Sequence, residues 1–222
     1  MNVAKTESNE FRILDLEAEN FDLQCFSKRS KKHLYYIDDT PEEFYVLSNR
    51  KNQENFALYR TDKKNTLEKN WKIFIRHNKK ELIENFICFQ DYIILETRKN
   101  GLPFLTQVNK DTKNKLIIKF DDPAYSVELV NNSDYKTKNF TFAYSSLRTP
   151  TAIFSQNFYS QKRKKVWQQN ILHHKESNYE TKRLFLKVRD GKKVPVSLIY
   201  KKGINLEKAP LLQYGYLSLI HI

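Results

Sequence analysis

The chain has 222 residues, of which 40% are hydrophobic and 14% aromatic, and this composition excludes a wholly disordered protein. Lysine and arginine number 39 against 26 acidic residues, but these basic residues are scattered and lie in no recognisable nucleic-acid-binding module, so we expect no nucleic-acid partner. The polar segment Met1–Glu10 lacks an apolar signal region, and no apolar run approaches membrane-spanning length, so we expect a cytoplasmic protein without a membrane partner.

The first predicted elements are two short strands. Phe11–Leu16 and Asp22–Phe26 are apolar runs of strand length, separated by a polar loop. They correspond to the third and fourth strands of the repeating unit that follows them. We therefore predict that the chain opens with about half of one such unit.

A repeat of about 48 residues occupies the middle of the chain. Each period contains four short runs rich in aromatic and branched residues, with the variation confined to the turns between them. Four short strands per period of this length are typical of a β-propeller blade, so we predict three complete four-stranded blades. The runs begin at Leu34, Glu43, Phe56 and Lys72, then at Phe86, Asp91, Phe104 and Lys115, and then at Ser126, Asn139, Ala152 and Lys165.

A polar segment and a hairpin follow the repeats. The polar segment ends near Asn178, which we take as the boundary between a partial propeller (1–178) and the start of a second domain (179–222). Two alternating runs, Leu184–Val188 and Val194–Tyr200, flank Asp190-Gly191, and this pattern predicts a hairpin with a tight primed turn. The continuous apolar run Leu211–Tyr214 predicts a strand buried on both faces.

The histidines and cysteines do not suggest a metal site. Cys25 and Cys88 lie in apolar runs without a histidine or second cysteine at ligand spacing, so we predict two buried, reduced thiols. The adjacent pair His173-His174 would point to opposite sides of an extended chain, which favours a linker over metal ligation. His33 and His77 fall near strand starts or turns and are interpreted as surface or linker residues.

Several segments carry short motifs that are weak singly but specific together, and they extend from about Phe11 to Tyr216. The motifs are Ser48-Asn-Arg, Asn55-Phe-Ala-Leu-Tyr-Arg-Thr61, Phe120-Asp-Asp-Pro-Ala-Tyr125, Tyr144-Ser-Ser-Leu-Arg-Thr-Pro150, Val188-Arg-Asp-Gly191, Val194-Pro-Val-Ser-Leu-Ile-Tyr200 and Pro210-Leu-Leu-Gln-Tyr-Gly-Tyr216.

These motifs resemble the oligopeptidase B branch of the prolyl oligopeptidase family of serine peptidases. The resemblance implies a mainly β fragment: an incomplete propeller of about three and a half blades, followed by the first strands of an α/β-hydrolase sheet. In the complete protein, a seven-bladed propeller would cap the active site and admit only short peptides. The implied activity is cleavage after Lys or Arg through an acyl-enzyme, with a Ser-Asp-His triad and no cofactor.

One site residue carries over by resemblance. In the family, the second tyrosine of a Tyr-Gly-Tyr-Gly motif donates its hydroxyl to the oxyanion, and that tyrosine corresponds to Tyr216 here. The family pattern continues with glycine, whereas this chain continues with Leu217–Ile222, which we interpret as a frame change or assembly artefact, with a splice form as the alternative. Ser218 and His221 lack the Gly-x-Ser-x-Gly context of a catalytic serine and are not interpreted as catalytic.

The resulting prediction is a catalytically inactive fragment of a serine oligopeptidase. The triad, the residues that would recognise a basic side chain, the remaining blades and the rest of the hydrolase domain are all expected outside this sequence. The alternative is a free-standing propeller scaffold that binds partners without enzymatic activity. The motifs from Val188 to Tyr216 favour the peptidase, because a scaffold needs no hydrolase-like entry hairpin.

Overall fold

A computed structural model describes residues 2–16, 22–130 and 132–215, which form a series of antiparallel sheets. The first sheet contains β1 (Asn2–Lys5), β2 (Ser8–Ile13) and β3 (Gln24–Cys25) in that order. Only β2 and β3 were predicted. The missed strand β1 is only four residues long and half polar, so its sequence has no alternation to detect, yet it pairs with β2 in register from Asn2 opposite Phe11.

Three four-stranded blades follow, and each has its strands in simple chain order. The sequence prediction of a β-propeller with three complete blades is confirmed. The second blade contains β4 (Tyr35–Asp39), β5 (Glu43–Ser48), β6 (Ala57–Asp62) and β7 (Lys72–Ile75); the third contains β8 (Leu82–Cys88), β9 (Tyr92–Lys99), β10 (Leu102–Asn109) and β11 (Lys115–Ile117); the fourth contains β12 (Tyr125–Leu129), β13 (Asn139–Ser146), β14 (Ala152–Asn157) and β15 (Arg163–Gln168).

The hydrophobic core lies between the blades. Strand β5 is buried on both faces, because alternate side chains face opposite sides of a strand. Phe44 and Val46 pack toward the first sheet with Phe26, while Tyr45 and Leu47 pack toward the third blade. A third cluster between the third and fourth blades is rich in phenylalanine and contains Phe89, Ile94, Leu105, Ile118, Val127, Phe140, Phe142, Tyr144 and Phe158.

Polar side chains also tie each sheet to the next. The first strand of each blade is a sheet edge whose outer backbone groups lack a neighbouring strand. The Asn9 amide donates to the Tyr35 carbonyl at 2.6 Å and accepts from its N–H at 2.9 Å. The Asp38 carboxylate accepts from the Cys88 N–H at 2.7 Å. These bonds satisfy edge groups that would otherwise be buried without partners.

The predicted hairpin is confirmed, but its turn differs from the prediction. Strands β16 (Tyr179–Lys187) and β17 (Lys193–Lys201) pair along their whole lengths. The Gly191 N–H donates to the Val188 carbonyl at 2.9 Å, and Gly191 is the one residue of the loop with positive φ, at 81°. The central residues of this turn are Arg189 and Asp190, and neither has the positive φ that a primed turn needs at one or both of them, so the connection is an ordinary reverse turn followed by a left-handed glycine.

The prediction of a buried strand at Leu211–Tyr214 is wrong for this chain. These residues form no strand, and Leu211, Leu212 and Tyr214 are 77%, 92% and 87% exposed. An extended run becomes a strand only where a neighbouring strand satisfies its backbone groups, and no described strand lies beside it.

The structure corrects two further predictions. Cys88 is buried and free as predicted, but Cys25 is exposed. Cys25 pairs with Arg12 on the face of the first sheet that points away from the second blade. His33, predicted at the surface, is buried. Within the described ranges no helix could cross a bilayer, and no group of three or more His, Cys, Asp or Glu could hold a metal ion.

Candidate functional site

The fourth blade meets the hairpin at a cluster of polar side chains around Asp122. Two sequence motifs supply most of the cluster: Phe120–Tyr125, which ends at the start of β12, and Tyr144–Pro150, which begins within β13 and continues past its end. Thr181 comes from the hairpin strand β16, and Glu176 comes from the segment just before it. We call this group the Asp122 cluster, and its members are Asp122, Tyr144, Arg148, Thr149, Glu176 and Thr181.

The Asp122 carboxylate accepts four side-chain hydrogen bonds. The Tyr144 hydroxyl donates to Oδ2 at 2.7 Å, and the Arg148 guanidinium donates to Oδ1 at 2.5 Å. The Thr149 hydroxyl donates to Oδ2 at 3.3 Å. The Thr181 hydroxyl, on the hairpin, donates to Oδ1 at 3.3 Å. One buried carboxylate therefore joins the fourth blade to the hairpin.

The electrostatics of the cluster favour an ionised Asp122. Burial by itself would raise the pKa of this carboxyl, but the hydrogen bonds from Tyr144 and Arg148, together with the charge of Arg148, outweigh burial and lower the pKa. Burial and the adjacent Asp122 carboxylate raise the pKa of the Tyr144 hydroxyl, so it remains a donor. Only 3% of the Asp122 side chain is exposed, which makes its pair with Arg148 less screened than a surface salt bridge.

A second carboxylate fixes the linker that leads into the hairpin. Glu176 accepts from the Gln168 amide at 2.8 Å, and it shares the single proton of the Thr149 hydroxyl with Asp122, each carboxylate oxygen lying 3.3 Å from the Thr149 oxygen. His174 Nε2 lies 2.7 Å from the Arg148 carbonyl, and its ring stacks on Tyr179 at 5.4 Å between centroids. These contacts hold the segment before β16 against the fourth blade.

The hairpin also contacts the third blade. Arg183 donates to the Asn100 carbonyl at 2.5 Å, at the turn between β9 and β10. Asn100 and Gly101 both have positive φ, 51° and 73°, as a primed two-residue turn requires. A Cβ on Gly101 would make ordinary contacts with Arg183 at 3.5 Å and Pro195 at 3.7 Å, so the positive φ rather than a lack of space favours glycine here.

The second blade contains a Ser-His-Glu arrangement that sequence reasoning did not find. His33 Nε2 lies 2.8 Å from the Ser48 hydroxyl, and His33 Nδ1 lies 3.9 Å from Glu68. Ser48 is fully buried, and 3.9 Å is too long for the hydrogen bond that orients a catalytic histidine. The arrangement is therefore structural, since no substrate carbonyl can reach the serine.

The burial of His33 predicts that its contribution to the stability of the chain depends on pH. Burial lowers the pKa of His33, outweighing the opposite effect of Glu68, with Arg50 acting in the same direction as burial. A histidine whose folded pKa lies below its unfolded value contributes stability that is complete above about pH 6.5 and is lost as the pH falls toward the folded pKa. We expect His33→Gln to be most destabilising near pH 7.5, with the difference from the wild type shrinking by pH 5.5 in urea unfolding.

The control for this prediction is His77→Gln, which removes a half-buried histidine beyond β7. Because this side chain is only half-buried, His77→Gln should destabilise the chain less than His33→Gln at pH 7.5. A His33→Gln penalty that is equal at both pH values would show that His33 does not titrate differently in the folded and unfolded chains.

The sequence-predicted site residue, Tyr216, lies outside the described residues, as do Ser218 and His221. Its assignment as an oxyanion donor therefore stays a prediction. The structure instead brings the two upstream motifs together. Asp122, in the first of them, accepts a hydrogen bond from Thr181 of the hairpin, which lies 59 residues further along the chain.

The chain forms a series of four-stranded sheets, followed by a hairpin that contacts the last of them. This arrangement defines a β-propeller domain joined to a further segment. Residues 1–169 match the family described as "Prolyl oligopeptidase, N-terminal beta-propeller domain", and the chain belongs to this family. Its relatives include dipeptidyl aminopeptidase BI of Pseudoxanthomonas mexicana, 28% identical over 97% of this chain and 30% of that protein. They also include protease 2 of Moraxella lacunata, 26% identical over 96% of this chain and 30% of that protein.

Solved structures of oligopeptidase B have the same fold. The enzyme from Trypanosoma brucei, in a closed form with covalently bound antipain, is 25% identical and superposes with a TM-score of 0.81 over 91% of this chain and 30% of its own. The enzyme from Leishmania major, 21% identical, gives a TM-score of 0.82 over 92% of this chain and 30% of its own. This chain thus spans about 30% of the length of the relatives it matches.

Proposed function

We propose that this chain is part of a serine oligopeptidase: propeller blades (1–178) followed by the opening hairpin of an α/β-hydrolase domain (179–222). The observation that carries the proposal is the Asp122 cluster, because it fixes the hairpin against the last blade through motifs that resemble the peptidase family. Membership of the propeller family, and relatives named as peptidases, support the same conclusion.

In the complete protein, the propeller would limit access to the active site. A rigid stack of blades above a catalytic domain excludes folded proteins, so the substrates would be short peptides. Cleavage after Lys or Arg is proposed from the resemblance of Val188–Tyr216 to oligopeptidase B. The likeness to the antipain-bound enzyme of Trypanosoma brucei agrees with a peptide ligand.

The proposed chemistry assigns one role to this chain. A tyrosine hydroxyl held at a glycine turn can be preorganised where negative charge develops on a tetrahedral intermediate. Tyr216 would serve that role, while a serine nucleophile, its histidine base and an aspartate would come from the remainder of the protein. No cofactor is needed for this acyl transfer.

The exposed apolar residues of the hairpin favour the peptidase over a free-standing scaffold. Phe185 and Leu186 are 49% and 50% exposed, and Leu211 and Leu212 are more exposed still. Large apolar side chains left this exposed are expected where another part of a protein covers them. A scaffold that bound its partners through the blades alone would not need these exposed apolar side chains.

We expect the purified 222-residue chain to release no fluorophore from an Arg-linked peptide substrate. The reason is that the described residues place no serine within reach of both a base and a substrate. Ser48→Ala is the control, because it removes the one serine that hydrogen-bonds to a histidine ring among the residues that the structure describes. Release by the wild-type chain that a covalent serine reagent blocks would overturn the prediction.

The positive half of the test uses a longer protein. Genomic sequence downstream of this chain should encode Gly-x-Ser-x-Gly, and the joined polypeptide should cleave after Lys or Arg faster than after Pro. Tyr216→Phe in that protein should lower kcat with little change in KM. Faster cleavage after Pro would overturn the specificity, and an unchanged kcat would overturn the role of Tyr216.

A further inference from the structure

A cavity of about 240 Å³ lies between the second and third blades, beside the outer strand of each. The second blade contributes the end of β7, and the third contributes residues of β8, β9, β10 and β11. Part of the wall belongs to the hydrophobic core between the two blades, and it consists of Phe74, Ile75, Ile83, Leu95 and Val108. A wall of this kind fits the apolar body of a small ligand.

Thr97, on β9, adds an unsatisfied hydroxyl to this wall. The residue is only 2% exposed, and its Oγ1 has no hydrogen-bond partner among the residues that the structure describes. Its backbone takes part in the sheet, opposite Ile83 on β8 and Phe104 on β10. A buried hydroxyl without a partner destabilises a fold, whereas valine has the same shape and avoids that cost. The hydroxyl is thus available to a polar atom of a bound molecule.

The charged side chains of the cavity lie at its mouth, because they form the more exposed part of its lining. Arg76, Lys113 and Lys115 are exposed, and Glu81 is half-buried. None of these four forms a salt bridge within the described ranges. The Lys113 ammonium group lies 5.5 Å from the centre of the Phe74 ring, so a cation borders the apolar wall directly. Three cations against one acid favour an anionic ligand group at the mouth.

We propose that this cavity binds a small hydroxyaryl carboxylate. The carboxylate would lie at the mouth beside Lys113 and Lys115, and the aromatic ring would lie against Leu95. The hydroxyl at the far end of the ring would form a hydrogen bond with Thr97. Such a ligand would contact both blades at once and would therefore stabilise their packing against each other.

The test titrates the purified chain with phloretate, a hydroxyphenyl propanoate, and follows the backbone amide signals of β7, β9 and β10 by NMR. We expect a dissociation constant of about 1 mM or tighter, as is usual for a ligand of about a dozen non-hydrogen atoms. Hydrocinnamate, the same acid without the hydroxyl, should bind about three- to tenfold more weakly, the effect of one hydrogen bond. Tyramine carries an ammonium group in place of the carboxylate and should not bind.

Thr97→Val removes the hydroxyl and keeps the shape of the side chain. The variant should bind phloretate and hydrocinnamate equally, and without ligand it should be at least as stable as the wild type. Thr106→Val is the matched control, because Thr106 is buried on β10 but does not line the cavity, so the preference for phloretate should remain.

Lys113→Glu tests the mouth of the cavity, since it reverses the charge of an exposed side chain. It should weaken the binding of both acids, whereas Lys162→Glu, on the exposed loop of the fourth blade, should not.

Three results would overturn the proposal: no binding of phloretate at millimolar concentration, equal binding of tyramine, or a preference for phloretate that persists in Thr97→Val. The last of these would show that the Thr97 hydroxyl meets only bound water. These measurements do not depend on peptidase activity, so they stand or fall separately from the proposed function.

Discussion

Asp122→Ala is expected to destabilise the chain by about 2–4 kcal/mol and to release the hairpin from the fourth blade. The substitution leaves the Tyr144 hydroxyl and the Arg148 guanidinium without their acceptor, and removing one partner of a buried charge pair costs about 3–5 kcal/mol. We expect a cost somewhat below that range because 30% of the Arg148 side chain is exposed. The measurements are urea unfolding and hydrogen exchange of the β16 amides.

The control is Asp121→Asn, because Asp121 is the exposed neighbour of Asp122 in the same motif. It should change the free energy of unfolding by less than about 0.5 kcal/mol. The pH dependence adds a second check. Since the pKa of Asp122 is lowered in the fold, its contribution is complete above its unfolded pKa and is lost as the pH falls through the folded value.

The free energy of unfolding of Asp122→Ala should therefore differ least from that of the wild type at the lowest pH at which both proteins fold. If the β16 amides exchange no faster in Asp122→Ala than in Asp121→Asn, the cluster does not hold the hairpin. A destabilisation without faster exchange in β16 would place the role of Asp122 within the fourth blade alone.

The propeller could be predicted from the sequence because its periodicity survives in the strands. Runs such as Glu43–Ser48 and Asn139–Ser146 are long enough to show the apolar pattern, and their spacing repeats. β1 could not be predicted in this way, because Asn2–Lys5 has only two apolar residues. It becomes a strand through pairing with β2, a tertiary effect that local composition does not encode.

The burial of single residues was harder to predict than the strands. Cys25 lies in an apolar run and was expected inside, but β3 is two residues long and Cys25 falls on the uncovered face. His33 was expected outside, but its ring packs between Tyr35 and Trp71, at 5.4 and 6.0 Å between centroids. Which face another sheet covers depends on how the sheets stack, and a single strand does not carry that information.

The candidate site was only partly visible in the sequence. Both motifs that form the Asp122 cluster were noticed, but only as signs of family resemblance. Asp122 and Thr181 are 59 positions apart, and their contact depends on how the hairpin returns to the fourth blade. A signal was present in the sequence, since an aspartate pair before a strand and a Ser-Ser-Leu-Arg-Thr turn after its partner strand both concentrate polar groups at one sheet end.

Phe142→Ala is expected to destabilise the chain by about 3–5 kcal/mol, the usual cost of emptying a buried phenylalanine site. Phe142 is fully buried in the cluster between the third and fourth blades. Its ring lies 5.7 Å from the rings of Phe120, Phe140 and Phe154, and the Arg163 guanidinium lies 5.1 Å from its centre. A rigid β-sheet cannot collapse into the space that the ring leaves, so we expect little compensation.

Phe185→Ala is the control for this prediction, because its ring is 49% exposed on the hairpin, and it should cost about 1 kcal/mol or less. Equal penalties for the two variants in urea unfolding would contradict a core between the blades. The double variant Phe142→Ala with Asp122→Ala measures the coupling between the aromatic core and the Asp122 cluster. Phe142 and Tyr144, the partner of Asp122, lie two residues apart on the same face of β13. Neighbouring sites of this kind couple by about 0.5–3 kcal/mol, so a double penalty that differs from the sum would show that the aromatic core supports the junction.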